Sequence, residues 1–338
     1  MTYAPGIVNK FPLLFVQPGA GPFCLAKSEK VYQIRTMNTL HSPVHGEKPP
    51  WLKRRLPAAG QGARVSACIR DHFLHTVCEE AHCPNQMECY GRGTATFLLL
   101  GPACTRSCTF CAVDRSAVHS PDVQEPRRIA EAVSRLGISF SVLTMVTRDD
   151  LPDGGAGHVA ATIAAVREKG RDIGIEALIS DLDGNRQGLE RVLAAGPDVL
   201  NHNVETVPRL YPRVRPQADY SRSLELLSRA ADFVPPLVIK SGLMLGLGET
   251  RGEVHMVMDG LLGAGCRVLT LGQYLAPSKK HHPVIRYVHP HEFEEYREEA
   301  LKRGFHGVAS GPFVRSSYRA ERLYLQAKEL SAIRKTGI

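Results

Sequence analysis

From Gly93 onward the chain alternates short β-branched and aliphatic runs with longer stretches of helical periodicity. Such alternation marks βα units built around a parallel sheet. Six units are predicted, with strands at 94–100, 139–146, 173–179, 198–204, 237–243 and 267–274. Helices follow near 126–136, 156–169, 185–195, 220–232, 250–264 and 290–303. The strands recur about every 35 residues, a spacing that suits right-handed crossovers. Periodicity alone fits an open doubly wound sheet equally well. A barrel is favoured because the densest motif of the chain falls directly after the first strand, where barrel enzymes carry their catalytic loops. The predicted fold is therefore α/β, a partial (β/α)6 TIM-type barrel at 93–310, with an N-terminal extension at 48–92 and a C-terminal extension at 311–338.

Composition narrows the class. With 338 residues, 43% hydrophobic and 22% charged, the chain can bury one large core, and no apolar run approaches the roughly 18 residues of a membrane span. The net charge of +8 hints at acidic partners. No Lys/Arg block is interleaved with aromatics, however, and only one Trp is present, so a solvated basic surface is favoured over nucleic-acid binding. Residues 1–47 hold few acids, no clear periodicity and scattered Pro and Gly, and poor order is expected there. This segment lacks the Arg-rich amphipathic stretch of a transit peptide, and initiation at Met37 is an alternative. The run Lys48-Pro49-Pro50-Trp51-Leu52-Lys53 predicts an extended arm laid over the body, since Pro holds residues out of helix.

Cysteine placement changes the picture most. Of nine cysteines, six (78, 83, 89, 104, 108, 111) fall within 34 consecutive residues, while Cys24, Cys68 and Cys266 stand alone and read as buried, inert thiols. A chain this large without a recognisable signal peptide points to metal ligation in a reducing compartment rather than to disulfides. Cytoplasm is the expected location, with the mitochondrial matrix as the alternative. The loop Cys104-Thr105-Arg106-Ser107-Cys108-Thr109-Phe110-Cys111 spells Cys-x3-Cys-x2-Cys. Three closely spaced thiolates can hold three irons of a 4Fe-4S cube and leave the fourth open. S-adenosylmethionine (SAM) chelating that iron would accept an electron and release a 5′-deoxyadenosyl radical. The alternative is zinc completed by a distant residue, although zinc sites more often pair Cys-x2-Cys halves. Upstream, Cys78-x4-Cys83-x5-Cys89 is most economically a second cluster. By spacing alone, zinc with His72, His75 or His82 as fourth ligand fits this triplet too.

These residues also carry a resemblance. Cys78-Glu79-Glu80-Ala81-His82-Cys83-Pro84-Asn85 and Gly91-Arg92-Gly93-Thr94-Ala95-Thr96-Phe97, followed by the triple-Cys loop, resemble the lipoyl synthase family of radical SAM enzymes. The match continues in order through Asp149-Asp150-Leu151-Pro152-Asp153-Gly154-Gly155-Ala156, Asn201-His202-Asn203-Val204-Glu205-Thr206, the run from Ser241 to Glu249, the run from Gly272 to Ser278, and Arg315-Ser316-Ser317-Tyr318. It covers residues 48 to 325 approximately. The resemblance implies a sulfurtransferase with two 4Fe-4S clusters that inserts sulfur at carbons 6 and 8 of a protein-bound octanoyl-lysine. It assigns the radical-generating cluster to Cys104, Cys108 and Cys111, and an auxiliary, sacrificial cluster to Cys78, Cys83 and Cys89, with Ser317 on its fourth iron. Outside that context Ser317 would read as an N-cap for the final helix. Implied partners are octanoylated carriers, namely the glycine-cleavage H protein and acyltransferase domains of 2-oxoacid dehydrogenases, and an electron donor such as flavodoxin or ferredoxin.

For SAM, Phe110 resembles the residue whose backbone approaches adenine, and Gly246, Gly248 and Glu249 follow the fifth strand where glycine permits close approach. Taken alone, that stretch reads as a helix entry with acids complementing the dipole. Asn203 and Glu205 are polar residues on the predicted active face. Asp149 and Asp150 sit in a Pro/Gly-rich loop and receive no proton-transfer role. The chain departs from the family's pattern at Met145 and Thr147, where Ser and Asp are usual, and at Ser180, where Pro is usual. A rival sulfur-inserting or methylthiolating radical SAM enzyme would share the cluster loop but not the auxiliary triplet with Ser317. A non-catalytic zinc module that binds acidic partners is the alternative from another class.

Overall fold

The computed structural model describes residues 47–53, 60, 62–233 and 237–336, all within the unit His41–Ile338. The expectations for residues 1–46 and for Cys24 lie outside the described residues. Eight strands form one sheet in chain order: β1 (His75–Thr76), β2 (Thr96–Leu99), β3 (Phe140–Met145), β4 (Gly174–Leu178), β5 (Val199–Asn201), β6 (Val238–Leu245), β7 (Val268–Gln273) and β8 (Gly307–Gly311). Apart from the antiparallel β1–β2 pair, every neighbouring pair is parallel. Among the described residues no ladder joins β8 back to β1, so the barrel is unclosed.

The helices are α1 (Ala63–Asp71), α2 (Val77–Glu80), α3 (Gln86–Gly91), α4 (Glu125–Leu136), α5 (Ala156–Lys169), α6 (Arg186–Ala194), α7 (Tyr211–Val214), α8 (Tyr220–Phe233), α9 (Arg251–Gly263), α10 (Pro290–Arg303) and α11 (Ala320–Thr336). Strands β2 to β7 with α4, α5, α6, α8, α9 and α10 are the six predicted βα units. Every residue of β3 and of β7 is buried, because such strands carry helices on one side and the barrel interior on the other. Helix α4 shows how the local sequence sets the ends. Pro126 sits in its first turn, Ile129, Ala130, Ala132, Val133 and Leu136 form its buried face, and Gly137 at φ 66° stops it.

Two expectations need correction. Pro50–Leu52 winds into a single 3-10 turn rather than staying extended, since Pro is tolerated in the first turn; Trp51 packs edge-on against His289, 4.9 Å between ring centres. The sheet also has strands at both ends beyond the six units, β1 and β8. The first is two residues long, and Gly307-Val308-Ala309-Ser310-Gly311 has one β-branched residue to announce it.

Inside the barrel lies an ion pair. Lys240 Nζ on β6 donates to both carboxylate oxygens of Glu176 on β4 at 2.8 Å, and Asn201 Nδ2 on β5 donates to Glu176 Oε1 at 2.8 Å. All three side chains are buried. Above them His202 is also buried: its Nδ1–H donates to Ile179 O at 2.9 Å, and Nε2 lies 3.0 Å from the Ser223 hydroxyl. Burial, reinforced by the Arg215 cation, holds this imidazole down at about 4.

Two outcomes follow for stability. Glu176→Ala strands a buried ammonium and is expected to cost about 3–5 kcal/mol, whereas Glu176→Leu with Lys240→Met recovers most of that loss; denaturant titration of the three proteins checks it. Because His202 folds neutral and its unfolded imidazole takes a proton near pH 6.5, its contribution is complete above about pH 6.5 and falls as pH drops toward 4. His202→Gln should flatten the wild-type loss of up to about 3 kcal/mol across that window.

Candidate active site

The triple-Cys loop leaves the carboxyl end of β2 and is fastened at almost every residue. Cys104 N donates to Asp114 O at 2.9 Å, Thr105 N and Oγ1 donate to Thr147 O at 3.0 Å, and Thr109 N donates to Val214 O at 3.0 Å. Arg115 Nη2 donates to Cys108 O at 2.7 Å, and His281 Nε2–H reaches Cys111 O at 3.1 Å. The strongest fastening is Arg106. Its Nε and Nη2 grip Asp149 at 2.7 and 2.9 Å, and Nη2 also lies 2.7 Å from Asp181 Oδ1. Arg106 and Asp181 are both buried, and the guanidinium holds the Asp181 carboxyl below its ordinary range against the opposing effect of burial. A planar fork bridging two carboxylates fixes both distance and orientation. Asp149 and Asp150 are thus engaged by Arg106 and Arg148.

The second triplet lies on α2, the turn after it, and α3. Thr76 caps α2, accepting from Glu79 N at 3.3 Å, and so orients Cys78 inward. The C-terminal segment is stitched to this region: Asn85 Nδ2 donates to Phe313 O at 2.6 Å, and the Tyr318 hydroxyl donates to Glu88 Oε1 at 3.0 Å. For that segment to cross the barrel, β7 must be bare at Gly272, where a Cβ would sit 2.1 Å from Val314 O. Ser317 lies three residues before α11, not at its cap. His75 Nδ1 is taken up by Glu80 at 3.0 Å, and His72 Nδ1 by Cys68 O at 2.8 Å.

Both segments face one cavity of about 490 Å³. Its wall includes Cys104, Cys108 and Cys111 from the first triplet, Cys78 and Cys83 from the second, and Ser317. Adjoining it is a second cavity of about 930 Å³, lined by Cys78, Cys83, Cys89 and Ser317. Burial pushes the Cys78 and Cys111 thiols up to about 12, so they lose their protons readily only to a bound metal. Among the described residues no three His, Cys, Asp or Glu side chains are grouped for a single ion. Thiolates spread around a cavity suit a cube, which offers each its own iron. Cys68 and Cys266 are buried in the core, with their thiols pushed up by burial.

Phe110, Asn203 and Glu205 line the smaller cavity; Gly246, Gly248 and Glu249 do not. Glu249 is buried and spent on its own loop, accepting from Gly246 N at 2.7 Å and Leu247 N at 2.9 Å. Burial raises its carboxyl despite those bonds. Asn203 Nδ2 donates to Glu205 Oε1 at 3.1 Å, and burial raises the Glu205 carboxyl although Arg215 opposes it. The departures Met145, Thr147 and Ser180 all lie on the cavity wall. The sequence reading missed Arg215, a buried cation beside Cys108 whose Nη1 donates to Asn203 O at 3.0 Å and Val204 O at 3.2 Å. Its Nε and the Asn203 Oδ1 are buried without a hydrogen-bond partner, and Asn203 Oδ1 packs against Gly242, where a Cβ would meet it at 2.7 Å.

Comparison with known proteins gives the family. The Radical SAM superfamily pattern matches residues 98–261. A lipoyl synthase of Roseiflexus sp. (strain RS-1) is 53% identical over 282 residues, covering 83% of this chain and 93% of the relative. One from Trichlorobacter lovleyi is 54% identical over 274 residues, covering 81% and 97%. The chain belongs to the lipoyl synthase family. Its fold is similar to that of the FeFe-hydrogenase maturase HydG, with a TM-score of 0.52 at 13% identity; 68% of this chain matches 54% of that one, so the likeness speaks to the barrel alone. Lipoyl synthases are sulfur-inserting radical SAM enzymes, and a 4Fe-4S cluster and SAM belong to their chemistry. Among the described residues no helix is long and apolar enough to cross a membrane.

If the Arg106 fork sets the cluster loop, Arg106→Lys should lower reductive SAM cleavage, read as 5′-deoxyadenosine, at least about tenfold while the melting temperature changes little. Wild-type cleavage in that variant would show that a single charge at this position suffices.

Proposed function

We propose that Cys104, Cys108 and Cys111 hold the radical-generating cluster, and that Cys78, Cys83 and Cys89 with Ser317 hold an auxiliary one. The observation that carries this reading is that five of the six triplet cysteines and Ser317 line one cavity although they come from three separate segments. When bound, the first cluster supplies the electron that splits SAM into methionine and a 5′-deoxyadenosyl radical, and the second supplies the sulfur. The chain's own residues do the rest. Arg106 fixes the cluster loop, while Arg215, Asn203, Glu205 and Phe110 line the cavity that would take the polar groups of SAM. Leu98, Met145, Ile179 and Leu243 make the cavity wall apolar, as an octanoyl chain and a water-sensitive radical require. Ser317 offers a hard oxygen where a thiolate is usual, a weaker match that eases iron loss and frees sulfide for the substrate.

In this reading residues 48–92 and 311–338 are the extensions that bracket the auxiliary site, and 93–310 is the SAM-cleaving barrel. Gly246, Gly248 and Glu249 act indirectly, by shaping the loop after β6. The substrate is octanoyl-lysine on a carrier, either the glycine-cleavage H protein or a 2-oxoacid dehydrogenase acyltransferase domain, with flavodoxin or ferredoxin as electron donor. Bacterial relatives favour the cytoplasm and lend no support to a mitochondrial matrix location.

Anaerobic turnover of the reconstituted protein with SAM, a reductant and an octanoyl-lysine peptide tests the assignment. Deoxyadenosine together with a peptide that has gained two sulfurs is the expected result. Deoxyadenosine without sulfur gain would overturn the auxiliary site, and neither product would overturn both.

A further inference from the structure

The triple-Cys loop is anchored at its root as well as at its middle. Between the end of β2 and Cys104 the chain passes through Leu100 and Gly101, both at positive φ, 72° and 83°. A branched apolar side chain seldom takes that conformation, and it persists only where its surroundings impose it. Two contacts do so here. The Leu100 N–H donates to Glu125 Oε2 at 2.8 Å. The Leu100 side chain fills the space beside Gly155, where a Cβ would sit 2.4 Å from Leu100 Cδ1. Glu125 itself stands in the first turn of α4, where the helix dipole favours a carboxylate, and is only 4% exposed. His158, near the start of α5, donates from Nε2–H to the same oxygen at 2.6 Å. One carboxylate oxygen thus gathers the chain leaving β2, the start of α4 and the start of α5.

Neither Glu125 nor His158 lines either cysteine-bearing cavity, so neither touches a molecule bound there. Their reach into the site is through the backbone: Cys104 follows Leu100 by four residues, and its own N–H is already tied to Asp114 O. The Arg106 fork holds the loop beyond Cys104, whereas the direction in which the chain arrives at Cys104 is set at Leu100. A misplacement of about 1 Å between reacting groups costs on the order of a hundredfold in rate. From this geometry, and resting on the assignment of Cys104, Cys108 and Cys111 made above, we infer that Glu125 and His158 are positioning residues for SAM cleavage. The carboxylate sets the exit angle of the chain at Leu100, and with it the place of Cys104 against the cavity; the imidazole holds the carboxylate in the orientation that does so.

The test compares the full chain with Glu125→Ala, Glu125→Gln, His158→Ala and the double Ala variant. Before reconstitution, amide hydrogen exchange across residues 98–104 should quicken in Glu125→Ala and stay near wild type in Glu125→Gln, which keeps the accepting oxygen. After reconstitution, Glu125→Ala should form 5′-deoxyadenosine at least about tenfold more slowly at saturating SAM, with its iron retained. The change that SAM makes in the paramagnetic resonance spectrum of its reduced cluster should weaken in parallel. Glu125→Gln should recover most of the rate. His158→Ala should lose less than Glu125→Ala, and the double variant no more than Glu125→Ala alone, because the imidazole acts through the carboxylate. Wild-type exchange and cleavage in Glu125→Ala, a Gln variant as slow as the Ala variant, or additive losses in the double variant would overturn the positioning role. If Glu125→Ala does not fold, His158→Ala decides: a wild-type rate and spectrum there would overturn it equally. Absence of deoxyadenosine from wild-type protein would instead sink the assignment of the cysteine loop itself.

Discussion

A single buried guanidinium sets the geometry on which the site depends. Arg106 lies in the middle of the triple-Cys loop and binds carboxylates from two other loops, Asp149 after β3 and Asp181 after β4. Were the loop held by backbone bonds alone, its cysteines would move with a chain segment that has no regular structure of its own. The fork ties it to two strand ends already fixed by the sheet. Desolvation opposes such an arrangement, and only full satisfaction of the charge makes it stable.

The barrel and its extensions divide the work. The parallel strands supply a rigid floor, in which the Lys240–Glu176 pair occupies the interior below the cavity. Loops at the carboxyl ends of β2, β3, β4 and β5 supply the polar groups, as the barrel architecture prescribes. What the barrel lacks is a roof over β2, and the two extensions provide it. The Asn85–Phe313 and Glu88–Tyr318 hydrogen bonds join residues more than two hundred positions apart. Through them the second cysteine triplet and Ser317 come to line one cavity, and Gly272 leaves the room for that crossing.

Much of this was legible in the residues. The six βα units were readable because buried parallel strands and amphipathic helices leave different periods. Both cysteine triplets were readable as candidate ligand sets because their spacing is local. The ends of the sheet were not, since a two-residue strand and a Gly-Ala-Ser strand carry too few side chains to show a period. Arg106, Asp181 and Arg215 were also invisible as parts of the site: an Arg in a loop reads as solvated surface until tertiary contacts bury it. Glu249 differs in the other direction. It looks like a ligand-facing acid in sequence, but its carboxylate is occupied by two N–H groups of its own turn, which only the folded backbone reveals.

The central claim is that the two triplets hold two separate cubes. Iron and acid-labile sulfide in anaerobically reconstituted protein measure this most directly, in wild type and in the Cys89→Ala and Cys108→Ala variants. Two cubes require about eight irons per chain in wild type, and each variant should lose about four without affecting the other cube's spectrum. An unchanged count in Cys89→Ala, or loss of all iron in both variants, would contradict the account.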